Sequence, residues 1–87
     1  MYVLLVYDVG EKRVARALKI CRVYLTWVQN SVFEGEISEA KLKELTLRLK
    51  KLIKEKEDSV LVYKLRNERV FKKETLGLEK NSTDAFL

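Results

Sequence analysis

The seven residues Tyr2-Val-Leu-Leu-Val-Tyr-Asp8 decide how the rest of the chain is read. All but the last are β-branched, aromatic or leucine, and the run stops at Asp8-Val9-Gly10, which predicts a strand buried on both faces. A helix follows directly. From Glu11 to Leu25 the apolar residues Val14, Ala17, Leu18, Cys21, Tyr24 and Leu25 recur at three- and four-residue spacing, the period of one helical face packed on a sheet. Lys12, Arg16, Lys19 and Arg22 fall together on the opposite face, with Arg13 at the boundary.

Beyond that helix, Trp27 to Ile37 is again strand-like around Asn30-Ser31 and Gly35. A hairpin of two short strands or one bent strand would satisfy the pattern, because neither Asn30 nor Ser31 is the glycine that a primed turn most favours. The preferred reading is two short strands. Ser38 predicts the cap of a second helix running to about Lys56, with Leu42, Leu45, Leu49, Leu52 and Ile53 as its apolar stripe. Asp58-Ser59 is a turn signal, and Val60 to Leu65 reads as a third apolar strand. Arg66 to Arg69 then predicts a turn, Val70 to Leu78 a last edge strand, and Glu79 to Leu87 a polar tail. This order fits an α+β, ferredoxin-like βαββαβ layer of two helices on an antiparallel sheet, in one domain over residues 1–78.

Eighty-seven residues at 10.2 kDa are too few for two lobes. A chain this short buries only roughly 60 to 65% of its unfolded surface, so the core is thin and a homodimer is expected. Eighteen Lys and Arg against thirteen Asp and Glu give a net charge of +5, a balance that favours polyanionic partners, nucleic acid first. There is no histidine and only one cysteine, which excludes Ser-His-Asp and Cys-His catalysis, an intrachain disulfide and an ordinary His/Cys zinc site. The longest apolar run near the start, Val3 to Tyr7, is far short of a membrane span and has no basic stretch before it, so a cytoplasmic protein is expected. Glycine-rich phosphate loops, ribonucleoprotein aromatic signatures, zinc knuckles and an adjacent pair of carboxylates at catalytic spacing are all missing from the sequence.

Asp8 is the sharpest candidate for chemistry, since it ends an apolar strand where side chains emerge at the edge of a sheet. It has two readings: a helix cap that accepts the amides near Lys12, or a ligand for metal or substrate. One carboxylate holds magnesium poorly, yet a two-fold dimer with its first strands near the axis would let two copies of Asp8 share one ion. The stripe Lys12, Arg16, Lys19 and Arg22 is either a phosphate track or a solvated helix face, and only Glu11 offers it a nearby opposite charge. Tyr7, Tyr24, Trp27 and Phe33 stack on bases or, more commonly for strand aromatics, fill the core. Cys21, on the apolar helical face, reads as packing, and the lysines of the second helix as surface solubility.

Taken together, Tyr-Val-Leu-Leu-Val-Tyr-Asp at 2 to 8, Lys-Arg-Val at 12 to 14, Val-Gln-Asn-Ser-Val-Phe-Glu-Gly at 28 to 35 and Asp-Ser-Val-Leu-Val-Tyr-Lys-Leu at 58 to 65 resemble the CRISPR-associated Cas-two family. The resemblance runs to about Leu78. It implies a ferredoxin-like homodimer in which the segment after the third long strand, here Val70 to Leu78, pairs with the sheet of the other subunit. It also implies a magnesium-dependent endonuclease acting on single-stranded RNA or duplex DNA, and a central dimer that bridges integrase subunits in the complex that acquires CRISPR spacers for antiviral defence. Residue by residue, Asp8 matches the family's metal-binding catalytic aspartate, Tyr7 the tyrosine before it, Arg13 an arginine early in the first helix, and Ser31 and Phe33 the serine and phenylalanine of the second motif. Some nuclease members carry basic residues where this chain has Glu11 and Trp27. A non-catalytic DNA-binding scaffold is the alternative reading, and an effector-binding module a third.

Overall fold

The structure, a computed structural model, describes residues 1–78 and residue 80. The chain runs β1 (Tyr2–Asp8), α1 (Val14–Tyr24), β2 (Thr26–Gln29), β3 (Val32–Glu36), α2 (Glu39–Leu52) and β4 (Ser59–Leu65). The four strands form one antiparallel sheet in the order β2-β3-β1-β4, so the first strand becomes a central one. This is the βαββαβ arrangement predicted above, with the β2–β3 stretch resolved as a hairpin. Its turn works without glycine because Asn30 takes the left-handed conformation at φ 41°, which asparagine tolerates better than most residues. The extra residue this inserts appears as a register shift between Trp27 and Gln29.

Alternation along β1 sorts its side chains onto two surfaces. Val3, Leu5 and Tyr7 are buried under the helices together with Phe33, Ala17, Cys21, Leu42, Leu45 and Leu49. Leu4 and Val6 point the other way and are only half-buried. The expectation that this strand is covered on both faces is therefore corrected: both helices lie on one side of the sheet. On the helix-free side Leu4 stands opposite Tyr63 and Val6 opposite Leu61, and each of those partners keeps 53% of its surface exposed.

Helix boundaries follow from which backbone groups find partners. The amides of Arg13 and Val14 both bond to the Gly10 carbonyl, so residues 11–13 form a tight turn and α1 starts at Val14 rather than Glu11. At α2 the Ser38 hydroxyl accepts from the Lys41 amide at 3.2 Å, the predicted cap, of a kind worth about 1 kcal/mol. That helix ends at Leu52, short of Lys56, because Lys54 opens a separate turn whose carbonyl takes the amides of Glu57 and Asp58.

The segment expected as a last edge strand forms no ladder within its own chain. Glu68–Val70 is a short 3-10 turn capped by Asn67. Residues after it cross the helix-free face instead of running along an edge: Phe71 packs on Tyr2 with ring centroids 5.5 Å apart, and Lys73 pairs with Glu34 at 2.8 Å. A strand needs an unpaired edge beside it, and a segment lying on a face has none. Apart from residue 80, the expected tail over 79–87 lies outside the described residues.

Candidate active site and nucleic-acid interface

Three segments meet at one end of the sheet. Asp8 closes β1 opposite Ser59, the first residue of β4. The Tyr7 amide donates to the Ser31 carbonyl at 3.1 Å, which draws the β2–β3 turn up beside the same strand end. Since Val3, Leu5 and Tyr7 face the helices, Asp8 falls on the helix-free side, where it is exposed and its carboxylate makes no hydrogen bond or ion pair with any described residue. The helix-cap reading of Asp8 is thereby corrected. The residue at the start of α1 is Arg13, no side chain caps it, and the Gly10 carbonyl organises that turn.

Tyr7 and Phe33 lie on the opposite side of the sheet from Asp8. Both are buried, and their rings stack at 5.9 Å with 29° between planes, tying β1 to β3 from inside the core. Burial raises the Tyr7 hydroxyl above its ordinary value. Neither ring reaches the surface that carries Asp8. Cys21 packs beside them, and burial pushes its thiol up to about 12.

Arg13 has a partner that the sequence did not reveal. Its Nε donates to Asp58 Oδ2 at 2.7 Å and its Nη2 to Asp58 Oδ1 at 2.9 Å, a bidentate pair. The same carboxylate accepts the Gly10 amide at 2.8 Å and the Lys54 amide at 2.9 Å, while Glu57 adds a longer contact to Arg13 at 3.6 Å. The Asp58 side chain has no exposed surface, and the Arg13 guanidinium, then the Lys54 amide, hold its carboxyl well below the usual range. A tight approach at Gly10 belongs to this clasp, for a Cβ there would come within 2.6 Å of Arg13 Nη2. The available signal was the acidic pair Glu57-Asp58 directly before a strand; with Arg13 and Asp58 45 positions apart, nothing in local spacing joins them.

The basic stripe is exposed as expected, at Lys12 in the turn before α1 and at Arg16, Lys19 and Arg22 on the helix. Arg22 lies over the Trp27 ring at 5.7 Å, which brings a cation to the position where the chain carries Trp27. Arg16 and Lys19 turn toward α2 and line a groove with it. The stripe therefore belongs to the helical layer, while Asp8 belongs to the opposite face of the sheet.

No group of three potential metal-ligating acids, cysteines or histidines occurs among the described residues. Magnesium takes six oxygen ligands and usually one or two carboxylates among them. Asp8, exposed and without a partner among the described residues, has the chemistry of one such carboxylate.

Fold and site define a ferredoxin-like α+β protein with an unpartnered strand-end carboxylate on one face and a basic helical layer on the other. The chain belongs to the family described as CRISPR associated protein Cas2, whose model matches residues 1–73. It is 58% identical over 87 residues to a CRISPR-associated endoribonuclease Cas2 of Thermotoga maritima, covering 100% of this chain and 99% of that one. It is 48% identical to the protein of the same name from Pyrococcus furiosus, with both chains fully covered. Among solved structures, a crystal structure of Cas2 superposes with a TM-score of 0.88 at 48% identity, over 95% of this chain and 93% of that one. Streptococcus pyogenes Cas2 gives 0.78 at 39% identity, over 88% and 100%. No helix among the described residues is long and apolar enough to cross a membrane.

Proposed function

We propose that this chain is a magnesium-dependent endonuclease that hydrolyses phosphodiester bonds of single-stranded RNA or duplex DNA, and that it works in the cytoplasm as a homodimer. The observation that carries the proposal is Asp8: an exposed carboxylate without a partner among the described residues, ending a central strand on a helix-free face. The apolar patch beside it, Leu4, Val6, Leu61 and Tyr63, suits a second copy related by two-fold symmetry. Such packing brings two copies of Asp8 toward one axis. Magnesium held between them would supply positive charge to the phosphate oxygens and lower the pKa of the attacking water.

The chain's own residues supply the rest. Asp8 would hold the ion; as the water oxygen forms the new P–O bond its proton passes to solvent, and as the old P–O bond breaks the leaving oxygen takes a proton from solvent. Ser59 stands opposite Asp8 on β4, and the Ser31 carbonyl in the β2–β3 turn holds the adjoining Tyr7 amide. Tyr7 and Phe33 set the strand register from below, and the Arg13–Asp58 clasp fixes the loop that leaves the strand. Lys12, Arg16, Lys19 and Arg22 hold the nucleic-acid backbone outside the cleavage point. The named relatives' title of endoribonuclease supports the same reading.

A second reading is favoured by one specific observation: no group of three potential metal ligands gathers around Asp8 among the described residues. It makes the dimer a DNA-binding scaffold that bridges integrase subunits, without cleavage. Labelled RNA and duplex DNA incubated with wild type and Asp8→Asn, with magnesium and with a chelator, decide between them. Metal-dependent cleavage confined to wild type supports the nuclease; equal cleavage in both, or none, leaves the scaffold.

A further inference from the structure

We infer that the groove between α1 and α2 is a binding site for the phosphate backbone of a nucleic-acid duplex, in which Arg48 and Lys51 of α2 act together with Arg16 and Lys19 of α1. The groove has a volume of about 540 Å³, its floor is apolar at Ile20 and Leu52, and no acid lines it. On the linear sequence the cations of α2 alternate with glutamates and read as surface solubility. Helical geometry separates them. Lys41 faces Glu44 at 3.3 Å on another part of the surface, while Arg48 and Lys51, three residues apart, turn toward α1.

Four exposed cations thus converge, and none has a carboxylate partner among the described residues. Like charges gathered in this way oppose the packing of the two helices, so an anion in the groove gains from every one of them. Arg13 also borders the groove, yet its guanidinium is already committed to Asp58. Arg48 is held in place before any ligand arrives: its guanidinium lies 5.7 Å over the Tyr24 ring, and its Nη1 donates to the Tyr24 hydroxyl at 3.2 Å. No aromatic ring lines the groove, so bases have nothing to stack on there. Sites for single strands rely on such stacking, whereas a duplex presents phosphates alone to an approaching groove.

The groove lies on the helical layer and Asp8 on the opposite face of the sheet, so binding here is separable from cleavage. The inference rests on the nucleic-acid reading of the α1 cations and is independent of any role for Asp8. In the Asp8→Asn background with chelator present, anisotropy of a labelled mixed-sequence DNA duplex, and of one of its strands alone, is titrated at several salt concentrations. Arg48→Ala/Lys51→Ala is expected to weaken duplex binding roughly tenfold and to flatten the salt slope by about two, one unit for each phosphate contact. Lys41→Ala/Lys43→Ala, which removes the same charge from α2 outside the groove, is expected to stay within about twofold of the parent. Equal weakening by both double variants would reduce the effect to net charge and overturn the inference. Unchanged duplex binding, as an acidic protein in the groove would leave it, or a larger loss for the single strand, overturns it too. If the parent itself binds no duplex, the nucleic-acid reading falls as well.

Discussion

Asp58, at the end of the turn that follows α2, accepts from two donors of the Arg13 guanidinium, Nε at 2.7 Å and Nη2 at 2.9 Å, from 45 positions away in the chain. Through its further bonds to the Gly10 and Lys54 amides, one carboxylate joins the loop leaving β1 to the loop entering β4. Asp8 and Ser59, which stand opposite each other across those strands, are thereby fixed relative to one another. The Arg13 guanidinium is committed to this clasp.

That arrangement predicts a specific pH response. A carboxyl held below its ordinary value in the folded state is protonated first in the unfolded chain, so its contribution is complete above about pH 4 and is lost as the pH falls further. Thermal melts of wild type and Asp58→Asn should differ most near neutrality and converge in acid. A constant gap at all pH values would show that the carboxylate charge is not what stabilises the loop.

Kinetics separate positioning from substrate contact. Arg13→Ala and Asp58→Asn should lower cleavage by similar factors, and the double variant should lose little more than either single one, because both remove the same clasp. An Arg13→Ala defect much larger than that of Asp58→Asn would put the guanidinium on the phosphate.

Phe33 should behave as a core residue. Its side chain is fully buried against Tyr7, and Phe33→Ala should cost about 3 to 5 kcal/mol, measured by urea denaturation. Phe33→Leu, which refills most of the space, should keep cleavage at temperatures where it is folded. A well-folded Phe33→Leu protein with no cleavage would assign the ring a direct role.

The helix-free face predicts the oligomeric state. Leu61→Asp and Tyr63→Asp each place a charge in the apolar patch facing Leu4 and Val6. Sedimentation should show a shift from dimer to monomer, with cleavage lost in parallel and the duplex affinity of a single groove retained. Dimers that persist in both variants would locate the interface elsewhere.

Cys21 offers a probe of the core. With its thiol raised to about 12 by burial, it should resist a thiol reagent at pH 8 in the native protein and react only as the fold opens, at a rate that follows global unfolding. Rapid labelling under native conditions would mean that α1 detaches from the sheet far more easily than its packing implies.

Much of this protein could be read without coordinates. Local pattern determined the order of strands and helices, since the unbroken apolar run of Tyr2 to Tyr7 and the three-four spacing in Val14 to Leu25 act between near neighbours. Ser38 signalled the start of α2 because a cap bonds only three residues ahead. The exposed stripe on α1 followed from helical geometry alone. Contacts between distant residues were beyond that reach. Whether both faces of β1 are covered depends on where two helices pack, and hydrophobic content is the same in either case. The choice of Asp58 as the partner of Arg13, the convergence of Arg48 and Lys51 with Arg16 and Lys19, and the placing of Phe71 and Lys73 across a face were likewise set by packing. Charge and apolar area say what a residue needs; only the folded chain brings within a few ångströms the group that meets the need.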